Sequence, residues 1–330
     1  LEITTGGLTN FYNILLNRFE EQKWLILKND FNNKILVVEN PSGDFCLGFE
    51  GFQDVTNDVY VYNITCFIDY DDTLSLNDQR LSNPKENFKG LTKDWYEPQI
   101  VIGDSTVNLK IYLQITENYI SGTLVNQENS DCRAFFGGFF DSYASRKQYN
   151  LPLFIGGCTQ ADDSVVITGE ERQYESFTST ANTTSNYMFG RRLSNSSSDK
   201  KSGDYLLNPF GKWERLEHDR VDTYPNKLST IVEFESKEAS VFPINYYQNY
   251  WNGSLTGEFK TEKVKLLQRM DDFENGRFLG EIPNILLLYQ DNSDFRVVES
   301  TITIDNQDYI VFRDIFRSAY LHSYYLMKII

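Results

Sequence analysis

Histidine is almost missing: His218 and His322 are the only two in 330 residues. A Ser–His–Asp triad therefore has two possible bases, and neither is well placed. His218 lies in the charged run WERLEHDR, which reads as solvated, and His322 in an aromatic closing strand, where a satisfied, partly buried histidine is the ordinary case. No G-x-S-x-G occurs, and Gly48, Gly51 and Gly137-Gly138 do not form a phosphate cradle between a strand and a helix. Cysteine is sparse too. Cys46, Cys66, Cys132 and Cys158 are widely spaced with no C-x-x-C, so zinc has no ligand cluster and buried thiols are expected. Apolar runs such as Ile285–Tyr289 fall far short of the roughly 20 residues of a membrane span, so the chain reads as soluble with no membrane partner. Leu1–Gly7 shows no basic-then-apolar secretory pattern. Basic charge is in deficit, 31 Lys and Arg against 47 Asp and Glu, and a net charge of −16 repels phosphate backbones. Nucleic acid is disfavoured as the main ligand, and no cofactor is implied.

What remains is apolar and aromatic. Hydrophobic residues make up 40% and aromatics 15%, enough to build a core. The organising stretch is 108–158. Leu109, Ile111, Leu113 and Ile115 alternate with Lys110, Tyr112, Gln114 and Thr116, the period of a half-buried strand. Glu117-Asn118 turns the chain into Tyr119–Val125. An aromatic–glycine block, Phe135–Phe140, and the run Leu151–Gly157 follow. Gly137, Gly138, Gly156 and Gly157 are candidate structural turn positions, Gly156-Gly157 through close backbone approach or φ > 0.

Residues 8–23 read as one amphipathic helix, with Leu8, Phe11, Tyr12, Leu15, Leu16 and Phe19 on one stripe and Thr5 or Thr9 as its cap. A meander follows: Trp24–Lys28, Lys34–Glu39 and Phe45–Phe49, with a strong turn at Asn40–Asp44. Asp58–Tyr70 is a further strand. Residues 71–98 read as a long loop with one helical turn, the kind of segment that makes contacts. The Ser-, Thr- and Asn-rich 159–204 buries little by itself. Alternation then returns in Leu228–Phe234 and Val241–Tyr247. Closing strands follow at Phe278–Ile282, Ile285–Tyr289, Thr301–Ile304, Tyr309–Phe312 and Tyr320–Ile329, with a tight hairpin at Asp305-Asn306.

The fold class is therefore mainly β: antiparallel sandwich or meander modules with one N-terminal amphipathic helix. The chain divides into a helix-plus-meander domain at 1–158, a polar excursion at 159–204, and a C-terminal β domain at 205–330 packed on the first. One large β domain also fits the length.

Acidic clusters were weighed as sites. Asp69, Asp71 and Asp72, and Asp291 with Ser293 and Asp294, lack the glycine and distal glutamate of a calcium loop. Glu170-Glu171, Asp271-Asp272 and Glu217 with Asp219 are the candidate pairs for sugar hydrolysis, which needs carboxyls held across a cleft. Asn63, Asn182, Asn195 and Asn252 open N-x-S/T triplets that an Asn-rich chain produces by chance. Tyr246, Tyr247, Tyr250 and Trp251 form an aromatic cluster suited to a partner's pocket or a sugar face, with core packing as the competing reading.

The order of pieces resembles a family of virion structural proteins of tailed bacteriophages. The resemblance rests on the helix-plus-meander start and on three segments. The first holds Phe136, Gly138 and Phe139. The second holds Tyr149, Pro152, Leu153, Ile155, Gly156 and Gly157. The third holds Leu279, Gly280, Ile282, Pro283, Val311, Phe312, Asp314, Phe316 and Arg317. Phe136 stands where the family usually has Tyr, and Asn150-Leu151 is inserted before Pro152. Pro283 is expected to end a strand. The resemblance implies a non-enzymatic role in the virion, in tail, baseplate or neck. It implies a symmetric oligomer bound to other phage structural proteins, assembled in the host cytoplasm. The alternatives are a receptor- or glycan-binding tail-tip protein and, last, a glycan-degrading enzyme.

Overall fold

The computed structural model describes residues 2–5, 7–54, 59–84, 98–103, 108–127, 132–157, 205–215, 240–242, 260–269, 276–289, 298–314 and 323–330. Among them the helix α1 spans Leu8–Glu21 and buries Phe11, Tyr12, Ile14, Leu15 and Phe19. It is two residues shorter than the periodicity predicts. The amide of Trp24 bonds the carbonyl of Phe19 and that of Lys23 the carbonyl of Glu20, while Lys23 takes a left-handed φ of 61°. That pair closes a Schellman end without glycine. Neither Thr5 nor Thr9 caps the start; Gly7 holds the N-cap position with no side-chain bond.

Three antiparallel sheets follow, with strands numbered in chain order. The first outer sheet holds the expected meander, β2 Leu25–Asp30, β3 Ile35–Glu39 and β4 Cys46–Asp54, the expected β5 Val59–Phe67, and β6 Gln99–Gly103, which sequence reasoning missed. Of the 71–98 loop, a 3-10 turn at Leu76–Asp78 is described and plugs Leu76 into a small core with Val37, Cys46 and Phe67.

The middle sheet runs in the order β1, β7, β8, β9, β11, β12, β13. These are Glu2–Thr5, Asn108–Ile115, Tyr119–Asn126, Cys132–Phe139, Leu153–Gly156, Tyr205–Leu207 and Trp213–Arg215. β1 carries too few residues for a period to show, and sequence reasoning missed it. Tyr205–Leu207 is hydrogen-bonded directly to β11, across the polar excursion.

The second outer sheet holds β14 Ser240–Phe242, β15 Lys260–Arg269, β16 Gly276–Tyr289, β19 Ser323–Lys328, β18 Gln307–Asp314 and β17 Thr301–Ile304. The short β10, Asp141–Ser142, pairs with β16. The expected hairpin is present: Asp305 and Asn306 have φ of 50° and 61°, the doubly positive pattern of a type I′ turn. Pro283, however, does not end a strand. β16 continues through it, with Lys263 opposite Leu286 and Lys265 opposite Glu281. The surplus residues form a bulge in which Asn284 has φ 61°. A bulge is where a residue without an N–H is tolerated.

The middle sheet is covered on both faces, and this corrects the half-buried expectation for β7. Leu109, Ile111, Ile120, Leu124, Phe135, Phe139, Leu153 and Ile155 pack with α1 and the first sheet. Their alternate neighbours, among them Tyr112, Tyr119, Phe136 and Phe154, pack with Leu266, Leu279, Ile285, Phe312 and Tyr325 of the second sheet. The period of two is there, but polar residues serve the second core. Gln114 is buried, accepting from the Tyr119 hydroxyl at 2.9 Å and donating to the Lys328 carbonyl at 3.1 Å. Phe11 links α1 to both neighbouring sheets through Tyr62 and Phe135, at centroid distances of 5.4 and 6.4 Å. The fold is thus a three-layer β assembly, with the helix wedged into one interlayer space. Among the described residues no helix is long and apolar enough to cross a membrane.

Candidate functional site

β1 pairs with β7 only from Asn108 to Ile111, with Glu2 opposite Ile111 and Thr5 opposite Asn108. The inward bonds of β7 fix which groups face out. Thr116 donates to the Tyr119 carbonyl and Gln127 to the Asn108 carbonyl, both at 3.0 Å. Every second residue between these two positions bonds to β8, so Leu109, Ile111, Leu113 and Ile115 direct N–H and C=O to the outer edge. β1 covers Leu109 and Ile111. Among the described residues nothing pairs with Leu113 and Ile115 on that side.

This open edge floors a groove of about 840 Å³. Ile14 and Arg18 of α1 line it, as do Ile310, Met327, Ile329 and Ile330. Ile329 and Ile330 are 45% and 78% exposed. An ion pair, Arg18 with Glu21 at 2.7 Å, stands on the helix rim. Apolar and charged side chains both line the groove, Ile14, Ile310 and Met327 among the former and Arg18, Lys23 and Glu117 among the latter.

Beside it, the Lys110 ammonium lies 2.8 Å from the Glu299 carboxylate, which also accepts from the Tyr112 hydroxyl. Burial, then Glu299, pushes the Tyr112 hydroxyl up to about 12, and Glu299 raises Lys110 as well. A neutral phenol and a charged ammonium holding one carboxylate form a clamp between sheets. Burial likewise pushes Tyr119 up to about 12.

A second polar group lies where β10 meets β16. Asp141 stands opposite Glu281, and Glu281 accepts from Lys263 and, at 3.1 Å, from the Tyr143 hydroxyl. Partial burial and the Glu281 carboxylate raise the Asp141 pKa, while Lys263 opposes them. Lys263 and Tyr143 both serve Glu281, so Asp141 is the less stabilised of the two acids. Sequence reasoning singled out neither this cluster nor the groove.

The candidate turn glycines lie in or beside strands of the middle sheet. Gly137 and Gly138 are inside β9, Gly156 is inside β11, and Gly157 follows it. Gly138 has φ 132°, and a Cβ there would sit 2.5 Å from the Asn118 carbonyl oxygen. At Gly157 a Cβ would sit 2.5 Å from the Gln99 carbonyl oxygen. Cys46, Cys66 and Cys132 are buried thiols, as expected. Asp69 pairs with Arg80, and the Asp71 carboxylate accepts from the amide and hydroxyl of Thr73 at 2.9 and 2.6 Å. Asn63 accepts from Gln99 at 3.0 Å. Among the described residues no three His, Cys, Asp or Glu side chains converge to hold a metal. The aromatic cluster Tyr246, Tyr247, Tyr250 and Trp251 lies outside the described residues. So do Cys158, both histidines, Glu170-Glu171, Glu217, Asp219, Asp271-Asp272, Asp291, Ser293 and Asp294.

Compared with known proteins, the chain matches the sequence pattern of no known family and resembles no curated protein significantly.

Proposed function

We propose that this chain is a non-enzymatic structural component of a tailed-bacteriophage virion, in the tail, baseplate or neck. It works by protein–protein assembly as one subunit of a symmetric oligomer. The observation that carries this reading is the sequence resemblance. Its described positions, including Phe136, Leu153, Ile155, Leu279, Ile282 and Phe312, are core residues of the three layers. They specify a rigid body, while the surface around them is left to set partners.

The test is the composition of purified virions from the phage genome that encodes the chain. Mass spectrometry should find it in stoichiometric amounts, and a particle reconstruction should show its three layers repeated about a symmetry axis. Intact, infectious virions from which the chain is missing would overturn the proposal.

A further inference from the structure

We propose that the tip of the β12–β13 hairpin joins one copy of this chain to the next. The Phe210 ring enters an apolar recess of the second copy, and Lys212 meets the acidic surface around it. The inference rests on reading the chain as a subunit of a symmetric oligomer, and it names the residues that link the subunits.

Phe210 is 88% exposed, more than any other large hydrophobic among the described residues. The hairpin is built to hold it there. Asn208-Pro209-Phe210-Gly211 has Asn first, Pro second and Gly fourth, the residues a type I turn favours. The Gly211 amide donates to the Asn208 carbonyl at 3.0 Å, and Gly211 takes φ 75°. The Asn208 side chain is buried. Its oxygen accepts from the Phe210 and Lys212 amides at 2.9 and 3.0 Å, and its NH2 donates to Glu214 at 2.7 Å. The amides of Phe210, Gly211 and Lys212 are thus satisfied within the hairpin, which leaves the ring as what the tip offers outwards. At the base, the Trp213 indole donates to the Leu81 carbonyl at 2.7 Å and packs on the first core. A braced aromatic loses little freedom when it is buried, which makes it an efficient anchor.

Charge selects the partner. Residues 209–212 include Lys212 and no acid, in a chain whose net charge is −16. A basic tip on an acidic body is complementary to the body of another copy. Two tips meeting about a two-fold axis would set Lys212 against Lys212. The contact is therefore head-to-tail, each tip docking on a different face of its neighbour, and copies related by a closing rotation form a ring.

The experiment is analytical ultracentrifugation of the purified full chain and two variants at micromolar concentration. The parent should sediment as a closed oligomer larger than a dimer. Phe210→Ala should raise the dissociation constant about tenfold or more, with an unchanged thermal midpoint because the ring is exposed. Lys212→Glu, at a second exposed position, should weaken assembly at low salt and approach the parent as salt rises. It tests the same contact should Phe210→Ala lower the midpoint. Excess Phe210→Ala added to the parent should break rings into shorter open chains, since the variant keeps the receiving face and lacks the ring. A monomeric parent, a two-fold dimer, or variants that assemble as the parent does would each overturn the proposal. Variants that assemble normally leave the symmetric oligomer standing, whereas a monomeric parent removes that part of the functional reading as well. Whether the chain is in the virion is decided separately by the composition test.

Discussion

The hydroxyls of Thr123 and Tyr325 lie 2.7 Å apart in the dry space between the middle and second outer sheets. Thr123 is fully buried and Tyr325 nearly so, and the pair spans 202 residues of chain. Removing one hydroxyl takes this bond from the other in a buried place, which costs more than removing both. Tyr325→Phe and Thr123→Val are each expected to lower stability by about 1–2 kcal/mol. The double variant should lose less than their sum, by about 1 kcal/mol. Urea unfolding of all four proteins checks this. Additive losses would mean that the two sheets do not meet at this pair.

Gly138 is a joint in the middle sheet where backbone presses on backbone. Its φ of 132° suits glycine alone, and a Cβ would sit 2.5 Å from the Asn118 oxygen and 2.6 Å from the Tyr119 Cα. Both obstacles are backbone, so neither can swing away. Gly138→Ala is expected to cost about 2–4 kcal/mol in the denaturant midpoint analysis. Gly137→Ala is the control. The nearest atoms its Cβ would meet belong to side chains, Leu47 at 3.2 Å and Ile120 at 3.7 Å, and the loss should be clearly smaller. Equal losses would remove the argument from backbone contact.

Much of this fold was legible in the sequence, for physical reasons. The stripe Phe11, Leu15, Phe19, the apolar run Ile35–Val38 and the alternation in Thr301–Ile304 are local signals, and Asp305-Asn306 writes its own turn. What stayed hidden was non-local. Gln114 reads as solvent-facing, yet it is buried because a sheet from far along the chain covers it. The groove left no trace in the sequence either, because its lining comes from α1, β7 and β19, which lie far apart along the chain. β1, with four residues, was too short for any period to show.

The cysteine thiols should be chemically quiet. Burial pushes Cys46 up to about 12 and Cys66 well above the ordinary thiol range, and the thiolate is the reactive form. In native protein near neutral pH, iodoacetamide should label neither within hours, whereas both should react promptly in concentrated guanidinium. Mass spectrometry of the tryptic peptides assigns each site. Rapid native labelling at Cys66 would show that the first outer sheet opens readily.

Asp141 offers a test of opposite sign from the usual surface carboxylate. Partial burial and then the facing Glu281 raise its pKa in the folded state, so the folded protein holds this proton more tightly than the unfolded chain does. Between the ordinary aspartate value and the raised one, stability therefore falls as pH rises, and above that window the cost of the charge is fully present. Asp141→Asn removes that cost. The variant should be more stable than the parent at neutral pH, and the advantage should vanish as pH drops below the ordinary aspartate range. Asp141 is exposed as a residue, so solvent screens the interaction and the gain is only about half a kcal/mol. Glu281→Gln should go the other way, because it takes the partner from Lys263 and the charged acceptor from Tyr143. Thermal unfolding of the parent and both variants across the acid range separates the two effects. An Asp141→Asn advantage that grows as pH falls would mean that Asp141 is held charged by Lys263, with Glu281 the weaker influence.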